Sequence, residues 1–355
     1  MFEKLSNDDL RAVIDELISL LGVKEVEPFQ DLVTRLEEGD TEGCVQGIAD
    51  RLNLPIRISL SYVSKDFKAG DTDRFVTDSL VKINSAGSGT ESITAQVSIP
   101  PSLPLYGSSR LQGYIIPIRV SEDCYEHAKT FISMVAHELS HVLLAALAHP
   151  KKLDELYTDI VPIILGFSDI IWHGRKVIKT TTSGNTTTTE TTTYGYLTDS
   201  QFQLAYSRVH DILRRHRRDK KHLIEVIEQI SNKIEEGLKG IAKFRDYLRF
   251  LDMHPPRKMK REYAQRLVQL HAQDYSIEWE NSIKDVRRIM ECAQSFVRSL
   301  NHYTSSSIEQ LKIHTRQLEI ASARIDPVIE ALIQDNKILQ RYVGFWRSLW
   351  HKYLS

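Results

Sequence analysis

The stretch Phe131-Ile-Ser-Met-Val-Ala-His-Glu-Leu-Ser-His-Val-Leu-Leu-Ala-Ala-Leu-Ala148 decides how the rest of the chain is read. It is apolar nearly all round, the pattern of a buried helix. Its middle nevertheless carries His137, Glu138 and His141, and buried polar groups require partners. Histidines four residues apart lie on one helical face, so both imidazoles can reach a single Zn²⁺ at about 2.0–2.1 Å. Glu138 stands one step round the helix, where it can touch a metal-bound water without ligating the metal. These are the mechanics of His-Glu-x-x-His, with the glutamate as general base. The competing reading is a core helix whose two histidines only hydrogen-bond internally.

A zinc site takes a third protein ligand and keeps its fourth position for water. His149-Pro150 ends the first helix, and Lys151-Lys-Leu-Asp-Glu-Leu-Tyr-Thr-Asp-Ile160 opens a second on which Glu155 and Asp159 share a face. Glu155 can ligate zinc, while Asp159, one turn on, can hold the Nδ1–H of a ligating histidine. Taken alone, the two carboxylates also suit an ordinary solvated helix start, close to the positive end of its dipole. His149 is a poor rival ligand, two turns beyond His141 and so about 12 Å along the helix.

Together these residues resemble the gluzincins, the thermolysin-like zinc peptidases, whose signature is His-Glu-x-x-His followed on a later helix by Glu-x-x-x-Asp. The resemblance covers roughly residues 115–210. It implies zinc held by His137, His141 and Glu155, with Glu138 as the catalytic base and Asp159 behind the imidazole of His137. The metzincin pattern does not fit, because it places Gly at 144 and His at 147, and Leu144 and Leu147 stand there. The interval from His141 to Glu155 is short, and Pro162 predicts a kink beyond both carboxylates. A tetrahedral oxyanion also benefits from a donor opposite the zinc. Tyr206 and His210 are candidates, with Tyr157 and His173, set against ordinary packing and surface roles.

The chain has 355 residues and a net charge of −1, which predicts two or three domains and no basic surplus to steer nucleic acid. Cys44, Cys124 and Cys292 are far apart and odd in number, so they read as reduced thiols of a cytoplasmic protein. Cys124 is read as a buried thiol or as a group approaching the metal. The first ten residues hold no apolar leader core, and no run reaches 18 apolar residues, so neither a signal peptide nor a transmembrane segment is expected.

Residues 1–53 read as helical, with Ser6 and Thr41 as N-caps. From Pro55 the apolar period changes to two, and Ile56, Ile58, Leu60 and Tyr62 predict a half-buried strand. Residues 64–90 read as a loop with one short strand near Leu80–Ile83, and further strands are expected at Ile93–Ile99 and Gly113–Val120. Pro117 removes a ladder donor, which predicts an edge strand over 114–120. The family resemblance gives such an edge the role of pairing with a peptide substrate. The threonine-rich segment Arg175–Tyr194, with Ser183-Gly-Asn185 as a turn, reads either as an exposed hairpin and candidate flap or as a disordered insertion.

Thr198-Asp-Ser-Gln201 is a capping box that opens a helix. From about residue 211, Ile227, Ile230, Ile234, Leu238, Ile241, Arg245 and Leu248 trace a seam, apolar except at Arg245. Leu311, Leu318, Ile325, Leu332 and Leu339 recur every seven, with Pro327 expected to begin a fresh helix. This predicts a helical bundle or antiparallel coiled coil. The basic clusters Arg214–Lys221 and Arg257–Arg261 read as solvated faces. Tyr342, Phe345, Trp346, Trp350 and Tyr353 make the last helix either a buried face or a docking surface.

The expected fold is α+β. A helical segment over 1–53 precedes a zincin-like catalytic domain over 54–210, whose small mixed sheet packs on the His-Glu-x-x-His helix and whose hairpin spans 175–194. An all-α region follows over 211–355. The expected function is a cytoplasmic zinc metallopeptidase acting on a protein or peptide. The second reading is a helical scaffold that takes a protein partner through its C-terminal helices and keeps a structural or inactive zincin domain. Metal-assisted hydrolysis of a non-peptide amide would use the same residues.

Overall fold

The computed structural model describes residues 6–64, 81–84, 89–91, 95–122, 124–183, 186–253, 261–273 and 275–354. Two compact units are present, Met1–Arg214 with Asn301–Ser305, and Arg215–Leu300 with Ser306–Ser355.

The first unit opens with α1 (Asn7–Leu21), β1 (Val23–Lys24), α2 (Gln30–Glu37) and α3 (Thr41–Arg51). Ser6 caps α1 as expected, in a capping box with Asp9. The cap of α3 is Asp40 and not Thr41: the Asp40 carboxylate reaches the Gly43 amide, and Thr41 is already helical. The helices before residue 53 therefore share a unit with the sheets that follow.

Those sheets are built from β2 (Ile56–Val63), β3 (Val81–Asn84), β4 (Gly89–Glu91), β5 (Ala95–Val97) and β6 (Tyr114–Ser121). The order of the first sheet is β2-β6-β5, with β2 parallel and β5 antiparallel to β6. The strand carrying Pro117 is thus central, which corrects the edge expected there. The Pro117 carbonyl accepts from the Ser98 N–H at 3.0 Å, so the proline nitrogen faces the β5 side, just past the last β5 pair, Val97–Ile118. The missing donor is the return bond of the Ser98–Pro117 rung, beyond the last full pair of the ladder. On the other flank, Gln46 of α3 donates to the Ile56 carbonyl and accepts from the Ile58 N–H, covering part of the β2 edge. Ile56, Ile58, Ile116, Ile118 and Val120 are buried, while Arg57, Ser59, Ile115 and Pro117 face solvent.

A 3-10 turn, Cys124–His127, leads into α4 (Ala128–Ala146), followed by α5 (Glu155–Pro162), a π turn at Ile163–Phe167 and α6 (Ser168–Gly174). The break expected at Pro162 falls just after it, where Leu165 and Gly166 leave helical backbone angles. The threonine-rich segment forms a hairpin of β7 (Lys176–Ser183) and β8 (Thr186–Thr193), paired along its whole length. Its turn residues Gly184 and Asn185 lie outside the described residues, as does most of the predicted loop 64–90. β8 also pairs with β3, so the hairpin belongs to a four-stranded sheet, β4-β3-β8-β7. α7 (Asp199–Met253) begins at the expected box: the Thr198 N–H donates to Gln201 Oε1 and the Gln201 N–H to Thr198 Oγ1. β9 (His302–Tyr303) returns to pair with β1.

The second unit is helical, with α7 from Arg215 onward, α8 (Arg261–Ala272), α9 (Tyr275–Ser299) and α10 (Ser305–Leu354). The heptad leucines and isoleucine of α10 are all buried. The helix runs through Pro327 without interruption, which corrects the fresh start expected there. On α7 the buried seam is Ile227, Ile230, Ile234, Gly237, Ile241 and Phe244, whereas Leu238 and Arg245 are exposed. The seam passes through a glycine because Trp279 of α9 fills the notch: a Cβ at Gly237 would lie 2.1 Å from Trp279 Cη2. Trp279 is 1% exposed and has little room to retreat. Gly237→Ala gains about 1 kcal/mol of helix propensity, yet overpacking a rigid indole costs about 1–3 kcal/mol and should prevail. The expected result in chemical denaturation is net destabilisation; a more stable variant would disprove the packing.

Arg257–Lys260 and the side chains of Cys124, Trp346, Trp350 and Tyr353 lie outside the described residues, while Phe345 is exposed. Among the described residues, no helix is long and apolar enough to cross a membrane.

Candidate metal centre

Every residue of α4 from Thr130 to Leu144 is buried, including His137, Glu138 and His141. The helix is enclosed by α2, α3, α5, α6 and β5. Its hydroxyls are satisfied: Ser140 donates to the Ala136 carbonyl within the helix and Thr130 to the Gly174 carbonyl of α6, both at 2.7 Å. α5 starts where the Asp154 side chain accepts from the Leu156 N–H, which sets Glu155 at the first helical position.

Glu155 and Asp159 both turn towards α4. Glu155 Oε2 lies 3.0 Å from His137 Nε2 and 3.5 Å from His141 Nε2. Two ligand atoms on one tetrahedral zinc stand about 3.3 Å apart, by geometry from Zn–N and Zn–O bonds of about 2.0–2.1 Å. The observed pair of distances brackets that value, and the three side chains form a group able to hold a metal ion. The outer nitrogens are fixed as well. His141 Nδ1 meets the Lys152 carbonyl at 2.8 Å, and because a carbonyl only accepts, the proton sits on Nδ1 and leaves Nε2 as a lone-pair donor in the neutral ring. That Nε2 is buried and makes no hydrogen bond among the described residues. His137 Nδ1 meets Asp159 Oδ1 at 2.7 Å, the carboxylate–histidine arrangement that orients metal-ligating imidazoles. The donor set, an orphaned nitrogen included, fits zinc.

Burial works against a second proton on His137, but the Asp159 and Glu155 carboxylates on its two nitrogens outweigh it and hold its pKa well above the usual histidine value. Burial alone would raise Glu155; the neighbouring His137 and His141 imidazoles overcome it and bring the carboxyl down to about 2. In the metal-free protein, the His137 contribution to stability is therefore full below about pH 6.5 and is lost as pH rises through the raised value. The Glu155 contribution is present above about pH 4.5 and is lost as pH falls towards about 2. Zinc bound there would have to displace the extra His137 proton, so its affinity should fall about tenfold for each unit that pH drops below the raised value. Zinc titrations at several pH values test this, and a flat profile would show that His137 is not a ligand.

A segment that sequence reasoning passed over completes the surroundings. Asp159 Oδ2 accepts from the Tyr196 N–H at 2.6 Å and the Leu197 N–H at 3.0 Å. The Tyr196 ring stacks on His137, with centroids 5.9 Å apart. These residues follow β8 in irregular structure and carry no periodic signal; Gly195 between two tyrosines was the available hint. The candidate oxyanion donors are engaged elsewhere. The Tyr206 hydroxyl donates to Asp169, His210 Nε2 meets Ser168 Oγ, the Tyr157 hydroxyl donates to Glu16, and His173 Nδ1 meets the Asp169 carbonyl. The rival ligand His149 has its Nε2 on Glu16.

Compared with models of protein families, with curated proteins and with solved structures, the chain matches none. The functional reading therefore rests on the residues and their geometry.

Proposed function

We propose that the first unit is a zinc-dependent peptidase domain of the gluzincin kind, with His137, His141 and Glu155 holding the metal and Glu138 as general base. The observation that carries this reading is the meeting of two α4 imidazoles and one α5 carboxylate at 3.0 and 3.5 Å. Zinc bound there would supply a Lewis acid that polarises a carbonyl and acidifies water. The Glu138 carboxylate would take a proton from the attacking water and return it to the leaving amine. Asp159 keeps the Nδ1–H of His137 in place, so that Nε2 faces the metal.

The test is to compare proteins cleaved in cells carrying the intact chain and the Glu138→Gln form. Fragments made only by the intact chain would support a peptidase, and identical fragment sets would overturn it.

The burial of the two ligating histidines, 3% and 1% exposed, favours one second reading. An enclosed ion can be structural, leaving the helical half to bind a protein partner. Zinc retained with no cleavage by either form would favour that scaffold.

A further inference from the structure

We propose that Tyr194–Leu197 is a strap that positions His137, with Tyr196 as the positioning residue, and that seating of the strap and occupancy of the metal site form one linked equilibrium. This rests on the zinc reading above. Asp159 is the shared part: one carboxylate oxygen holds His137 Nδ1, and the other accepts two consecutive backbone N–H groups of the strap. A carboxylate free to rotate would orient the imidazole loosely; one pinned by two amides presents Oδ1 in a single direction.

The backbone is shaped for this grip. Gly195 has φ +90°, and a Cβ there would come within 3.3 and 3.4 Å of the two Asp159 oxygens. A side chain would be strained and would crowd the carboxylate. Tyr196 then turns its ring against the imidazole that Asp159 holds. The carbonyl side of the strap is also secured, because the buried Arg175 donates to the Leu197 carbonyl at 2.7 Å and packs over Phe202. The strap joins β8 to the start of α7, so movement of the hairpin would loosen Asp159 and hence His137. Coupling of this kind is reciprocal: whatever unseats the strap weakens zinc, and zinc must hold the strap by the same factor.

The test is zinc affinity by chelator competition for the unaltered chain, Tyr196→Phe and Tyr196→Ala, together with amide hydrogen exchange at Tyr196 and Leu197 with and without zinc. Loss of a group that orients a ligand costs about 10–100-fold in metal affinity, so Tyr196→Ala should bind about tenfold more weakly. Tyr196→Phe, which keeps the stacked ring, should restore near-normal affinity. Zinc should slow exchange of both amides in the unaltered chain, a readout independent of how the variants fold. Equal affinity of Tyr196→Ala and the unaltered chain, or amide exchange indifferent to zinc, would overturn the strap while leaving the zinc reading intact. An unaltered chain that takes up no zinc would remove both.

Discussion

Replacing Glu138 by glutamine is expected to leave zinc bound and to lower peptide hydrolysis by about 10²–10⁴-fold, the usual worth of a general acid–base group. The substitution keeps the size and shape of the side chain. This matters because Glu138 is 1% exposed in a helix buried on every side, where a smaller residue would leave a cavity. The amide cannot take a proton from water, so a loss of rate at constant zinc content isolates the proton transfer from metal binding and folding. The measurements are zinc per chain and turnover of a substrate identified by fragment comparison. Full activity in Glu138→Gln would end the general-base assignment.

The second large effect is expected at Glu155. Changing it to alanine removes the one carboxylate oxygen that faces both imidazoles. Loss of a group that only orients a ligand costs about 10–100-fold in metal affinity, and loss of a ligand should exceed that. Zinc content after gel filtration should fall from near one per chain to near zero. His149→Ala is the matched control, since its ring bonds Glu16 and should leave zinc in place. Zinc retained by Glu155→Ala would remove Glu155 from the ligand set, whereas an unaltered chain that takes up no zinc would return His137 and His141 to the alternative of core histidines satisfied by hydrogen bonds.

The convergence of His137, His141 and Glu155 was legible because helical spacing is rigid. Residues four apart on α4 and α5 must share a face, so the sequence alone could nominate His137, His141, Glu155 and Asp159 as a set. Features that depend on tertiary partners were less legible. Pro117 suggested an edge, yet its missing N–H points to where the β5 ladder stops, which no local pattern encodes. The α7 seam was drawn through Leu238 and Arg245 because glycine was not counted as core, although Gly237 and Phe244 are the buried members. The strap was missed for a third reason: its hold on Asp159 comes from two backbone amides, which nearly every residue has, and the Tyr196 ring meets His137 only through the tertiary fold.

The indole lodged against Gly237 has a consequence beyond stability. Positions 237 and 279 sit on different helices but are two halves of one volume. A lineage that enlarges the first without trimming the second passes through an overfilled interior; the opposite order passes through a hollow one. Change there is expected in matched pairs, slowing divergence at this level of the helical half while its solvated faces drift freely.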